Sequence, residues 1–147
     1  MFKGGDSLII ETNLGEGGRV VAHLHFVLLD PDEVTGNTII VNIESLTSPR
    51  QDQTVVLDQS ERHSFLRQKS FVNYSRAMIV SVSAMRELVD RRKARLSDPI
   101  PAKLLARIRG GLERSERTPE EVLMFFKDRA FERARLSTRK QTRTRGR

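Results

Sequence analysis

Apolar and polar positions alternate with the two-residue period of β-strands as far as residue 82, after which a helical period takes over. Residues 20–29, VVAHLHFVLL, carry no charge when histidine is neutral, and with Asp30-Pro31 they predict a central strand. On that strand Ala22, Leu24, Phe26 and Leu28 share one face, and His23 and His25 share the other. Residues 7–11, SLIIE, predict a short first strand, joined to the central one through a flexible Gly-rich turn at 15–18. Residues 30–37, DPDEVTGN, predict a reversal in which Pro31 stops the ladder and Gly36-Asn37 makes the tight bend. Residues 38–44, TIIVNIE, then direct Ile39, Val41 and Ile43 to the core and complete a hairpin. Further strands are expected over 53–57, 70–74 and 76–81. Short strands at this spacing predict a small barrel or a strongly bent sheet, and without helices between them the pairing should be antiparallel.

Beyond residue 82, Met85, Leu88 and Val89 mark one helical face, and the run SDPIP at 97–101 ends that helix. Leu104, Leu105, Ile108 and Leu112 mark a second helix, weakened by Gly110-Gly111. A third begins at Thr118-Pro119-Glu120-Glu121, which joins an N-cap threonine to a first-turn proline and a capping-box glutamate. Its apolar stripe is Val122, Phe125, Phe126 and Ala130. The expected fold is α+β: a small antiparallel β-barrel over 1–82, a helical extension packed on it over 83–132, and a basic tail over 133–147 that is disordered when free.

Charge changes the picture by its location. Of the net +7, residues 1–85 contribute −3 (7 basic, 10 acidic), residues 86–132 contribute +3 (12 and 9), and residues 133–147 contribute +7 (7 and 0). Attraction to phosphate is therefore expected from the C-terminal part, with Arg139, Lys140, Arg143 and Arg145 as nucleic-acid contacts. The chain has no cysteine, which excludes disulfides and thiolate metal sites. It has no apolar run of the roughly 20 residues that span a bilayer, and its start lacks a signal-peptide pattern. A cytoplasmic location is expected, with no membrane partner.

No Gly-rich phosphate loop, nucleophile elbow or zinc-binding helix is present, and nothing calls for a cofactor. What remains is a polar set: His23, His25, Thr47, Ser48, Asp52, His63, Ser70, Tyr74 and Arg76. Cleaving RNA without metal needs a base for the 2′-hydroxyl, an acid for the leaving oxygen and a cation for the phosphate. The three histidines His23, His25 and His63 are the candidate acid/base groups, and Arg76 is a candidate phosphate contact. The competing chemical reading is a metal site of His23, His25, His63 and Asp52. A third reading, from another class, is a non-catalytic module that binds nucleic acid or protein through its sheet and tail.

The order of elements resembles the MazF/PemK-like toxins over about residues 5–83. The resemblance is carried by Gly5-Asp6 before the first strand, the Gly-rich turn, Phe26 to Pro31, VNIESLTS at 41–48, Asp52-x-Thr54-x-x-Leu57, and SFVNYSRA at 70–77. It implies an SH3-like barrel, a homodimer, cleavage of single-stranded RNA and restraint by a small antitoxin protein. It also implies that the family's loop threonine or serine corresponds to Thr47 or Ser48, which would position phosphate. The family's Arg-Pro before the core strand has no counterpart: His23, Leu24 and His25 occupy that neighbourhood and Arg19 lies too early. No catalytic arginine is carried over.

Overall fold

The computed structural model describes residues 2–14 and 18–145. The alternating half of the chain builds an antiparallel sheet, to which a later segment adds a sixth strand. The strands are β1 (Ser7–Leu14), β2 (Arg19–Val27), β3 (Asn37–Ser45), β4 (Val56–Leu57), β5 (Ser70–Ser81) and β6 (Ala94–Ser97), in spatial order β4-β5-β3-β2-β1-β6. The sheet curls into a half-barrel and stays open between its edge strands β4 and β6. The Gly-rich turn falls mostly on residues 15–17, outside those described.

β2 and β3 form the expected hairpin, paired from Leu24↔Ile43 to Val27↔Ile40. Its turn closes through Asp32 N to Asn37 O (2.9 Å) and Gly36 N to Asp32 O (2.7 Å). Gly36 adopts φ +72°, where a side chain would be strained. The two strands expected over 70–81 are one strand, β5. Its register against β3 jumps from Asn42↔Asn73 to Ile40↔Met78, so residues 74–77 bulge opposite Val41. The strand expected over 53–57 shrinks to the two residues of β4. Before it, Asp52 folds back to accept the amide of Thr54 (3.0 Å), a local bond that competes with a ladder.

Because Cβ atoms alternate, the sheet has two buried faces. One carries Ile9, Leu24, Phe26, Val41, Ile43, Val72 and Tyr74, and is covered by α2 (Ala102–Arg114) and α3 (Glu120–Arg145) through Leu104, Leu105, Ile108, Leu112, Val122 and Phe126. The other carries Leu8, Ile10, Val27 and Ile40, and is covered in part by Met85 of α1 (Val82–Asp90). α1 starts where Ser81 accepts the amide of Ala84 (3.1 Å). After it, β6 pairs with β1 from Ser7↔Ser97 to Ile10↔Ala94, so the expected helical extension sends a strand back into the sheet.

Gly111 does more than weaken α2. A Cβ there would stand 2.1 Å from the Tyr74 hydroxyl and 2.6 Å from Val55, so the glycine lets the helix lie on the tyrosine ring. Tyr74 is fully buried and donates to Ile108 O at 2.7 Å. Burial pushes its phenol well above the usual range, which keeps it a donor. Thr118 precedes α3 as expected, yet its hydroxyl donates back to Leu112 O (2.8 Å) and ties the two helices together. α3 runs 26 residues, about 39 Å at 1.5 Å per residue. Its backbone is helical to Arg145, through most of the segment expected to be a disordered tail. Arg, Lys and Gln are good helix formers, and basic charge suits a helix C-terminus.

Candidate functional site

The three histidines are not brought together. Phe26 lies on the face covered by α2 and α3, and its ring meets His63 edge-on at 5.9 Å between centroids. His25 precedes Phe26 on β2, so it stands on the opposite face together with His23.

His63 is buried and fully engaged. The Phe65 amide donates to its Nδ1 (3.1 Å), which places the ring proton on Nε2. Nε2 then donates to Asp98 O at 2.8 Å and lies 3.1 Å from the Ser7 hydroxyl, which itself donates to the same carbonyl. This arrangement staples the 62–66 turn to β1 and to the end of β6. Both nitrogens of His63 are thus committed within the fold, unlike what a role in the acid/base set would call for. The tetrad of a metal site disperses for the same reason. Among the described residues, no three His, Cys, Asp or Glu side chains are placed to hold a metal ion. Asp52 instead accepts from Ser115 (2.6 Å) and Thr54.

His25 is half-buried and differently wired. Its Nδ1 lies 3.0 Å from His23 O, and only a ring N–H can make that bond, so Nε2 carries a lone pair. Burial, the largest influence, holds the His25 imidazole below its ordinary value, and the neighbouring His23 adds to that lowering. The hydrogen bond to His23 O and the Glu44 carboxylate act in the opposite direction. His25 pairs across the strands with Asn42, and Asn42 with Asn73, so a polar row crosses β2, β3 and β5. Asn73 donates to Glu44 and accepts from Ser75. Asn42 is 5% exposed and its Oδ1 has no partner, a costly arrangement beside a histidine.

Next to this row the sheet splits. Residues 19–23 of β2 pair only with β1, while Glu44 and Ser45 of β3 pair only with β5. The two strands part and leave a cleft of about 680 Å³, lined by Ala22, His23, Glu44, Ser45, Arg67 and Arg95, among others. Sequence reasoning missed Glu44, Asn42, Asn73, Arg67 and Arg95. The available signal was polar Asn42 and Asn73 in the middle of otherwise apolar strands.

Of the other candidates Ser70 also lines the cleft, whereas His25, Thr47, Ser48 and Arg76 do not. Thr47 and Ser48 follow directly on its Ser45 wall, but their amides are both held by Gln51 Oε1 (2.7 and 3.0 Å), and neither residue lines it. Arg76 is exposed on the β5 bulge, also away from the lining. The side chains of Arg139, Lys140, Arg143 and Arg145 lie outside the described residues.

No protein-family model matches this chain, and no curated protein does. Among solved structures, the crystal structure of MazE-MazF (Form-III) from Deinococcus radiodurans is similar, at 20% sequence identity and a TM-score of 0.48, over 75% of this chain and 91% of that one. No helix among the described residues is long and apolar enough to cross a membrane.

Proposed function

We propose that the protein is a toxin-like endoribonuclease that cuts single-stranded RNA without a metal ion, with the cleft between β2 and β3 as its substrate site. The observation that carries this reading is the splitting of the sheet beside a His-x-His pair. It sets His23 and Glu44 on a cleft wall with Arg67 and Arg95, while His25 keeps a free Nε2 lone pair one step away along β2. In this reading His25 Nε2 removes the proton of a ribose 2′-hydroxyl, and the 2′-oxygen attacks the adjacent phosphorus. The bond from phosphorus to the 5′-oxygen breaks, and His23 supplies the proton that the leaving oxygen takes up. The products are a 2′,3′-cyclic phosphate and a 5′-hydroxyl. Two residues along a strand separate the histidine Cα atoms by about 6.7 Å, room for a phosphodiester between them. Arg67 and Arg95 then serve in place of the family arginine that this chain lacks, facing the phosphate charge.

The resemblance in sequence extends the proposal to a homodimer, to restraint by a small antitoxin protein and to action in the cytoplasm. Thr47 and Ser48 keep a role only at the cleft mouth. The test is incubation of the purified protein with single-stranded RNA in EDTA. Cleavage leaving cyclic phosphate ends, with a bell-shaped pH profile and loss in His25→Gln, is the expected result. RNA that is bound and left whole would replace this reading with a non-catalytic binding module.

A further inference from the structure

We propose that the cleft is the middle of a longer track for single-stranded RNA, with Arg92 and Lys93 at one end and Lys69 at the other. The inference rests on the RNA reading above and assigns that reading a site size and the cations that set it. Three hollows share walls. Ala22 and Arg95 line both the cleft and a groove of about 400 Å³ bounded by Arg92, Lys93 and Leu96, where α1 hands over to β6. Arg67 and Gln68 line both the cleft and a hollow of about 420 Å³ beside Asp58 and Lys69. The path therefore runs from the β6 edge, across the uncovered end of β2, to the loop before β5.

Arg67, Lys69, Arg92, Lys93 and Arg95 are exposed, and none makes an ion pair among the described residues. The contrast with Arg91 is direct. It sits at the same helix end but pairs with Glu87 at 2.8 Å, while the next two cations turn away to the groove. Three carboxylates also line the path. Glu44 takes a hydrogen bond from Asn73, and Asp58 takes the amide of Ser60 (2.8 Å) and lies near enough to Lys69 to feel its charge. Glu11 shares the groove with Lys93 and Arg95, so the path carries five cations against three carboxylates. The platform is firm: Arg92 takes φ +58°, and the Lys93 carbonyl accepts the amide of Glu11 at 2.9 Å. Half-buried Phe65 lines the cleft between the two basic ends and offers a ring on which a base can stack. Cations set at intervals along a path with an aromatic between them suit a polynucleotide, whose charges repeat at every residue while its bases stack. Charge counted along the chain hides this track, because its members come from a region of net −3 and a region of net +3.

The experiment measures binding of a twelve-nucleotide, 2′-deoxy (uncleavable) single strand and of a trinucleotide across a salt series. It compares the wild-type protein with the double variant Arg92→Ala/Lys93→Ala and with Lys69→Ala. The double variant should bind the long strand about tenfold more weakly, with a salt slope flatter by roughly 1.4, about 0.7 for each phosphate no longer neutralised. Lys69→Ala should flatten the slope by about half as much. Trinucleotide affinity and melting temperature should stay at the wild-type values, since the substituted side chains are exposed and outside the cleft. An unchanged salt slope in the double variant, beside a wild-type protein that cuts RNA, overturns the track and leaves the RNA reading intact. A wild-type protein that binds no single strand overturns both. Competition by poly-glutamate as strong as by the oligonucleotide overturns the track in favour of an acidic protein partner.

Discussion

His63 and His25 stand on opposite faces of one sheet, and comparing them separates a histidine that holds structure from one that is available for chemistry. His63 is enclosed beneath the face that α2 and α3 cover, with an amide on one nitrogen and a carbonyl and hydroxyl at the other. His25 is held at one nitrogen only, on a face that α1 covers in part, beside an unpartnered Asn42 oxygen and a split between strands. A saturated hydrogen-bond set fixes a tautomer and removes the ring from proton traffic. A half-satisfied set fixes the tautomer equally well and leaves one nitrogen for a substrate.

The sharpest break of this comparison is His25→Gln. It should lower RNA cleavage by about 10²- to 10⁴-fold, the span of general acid–base catalysis, with little change in melting temperature. A variant that loses stability and cleavage in parallel would make His25 a second structural histidine. Next in size is Gly111→Ala on the covered face. The added methyl collides with Tyr74, and the strain and disrupted hydrogen bond should cost about 3 kcal/mol in chemical denaturation. Adding Tyr74→Phe should recover part of that loss, and a strictly additive double variant would refute the collision.

His63→Ala should follow at about 2 kcal/mol, through the orphaned Phe65 amide and Asp98 carbonyl. Cleavage per folded molecule should not change, and its selective loss would return His63 to the active set. The smallest effect is pH linkage at His25. Its folded value lies below the unfolded one of about 6.5, so its contribution is fully present above that pH and is lost as pH falls toward the folded value. Urea midpoints of the wild-type protein should therefore drop below pH 6.5 relative to those of His25→Gln. Parallel pH curves would show that burial does not act on this ring.

Elements with a long unbroken period were legible in the sequence: β2, β3 and α2 lie where alternation or the helical stripe placed them. β6 was not legible, because ARLS, although it alternates, is only four residues long and becomes a strand only when the open edge of β1 pairs with it. The bulge that makes 70–81 one strand is likewise a property of pairing with β3. At the site, the shared face of His23 and His25 follows from strand parity alone. The position of His63 depends on how a loop of irregular backbone folds over Phe26, which no local pattern encodes. Arg67 and Arg95 come from separate elements and meet only through the curl of the sheet.

The fit between Gly111 and Tyr74 also has a bearing on descent. Because the space above the tyrosine ring admits no Cβ, the two positions, 37 residues apart, behave as one heritable character. A lineage can replace the glycine only after the ring has shrunk and the Val55 methyl, 2.6 Å from the added Cβ, has also given way. Drift at 111 is therefore gated by position 74, and among descendants of this chain any larger residue at 111 should travel with a smaller one at 74.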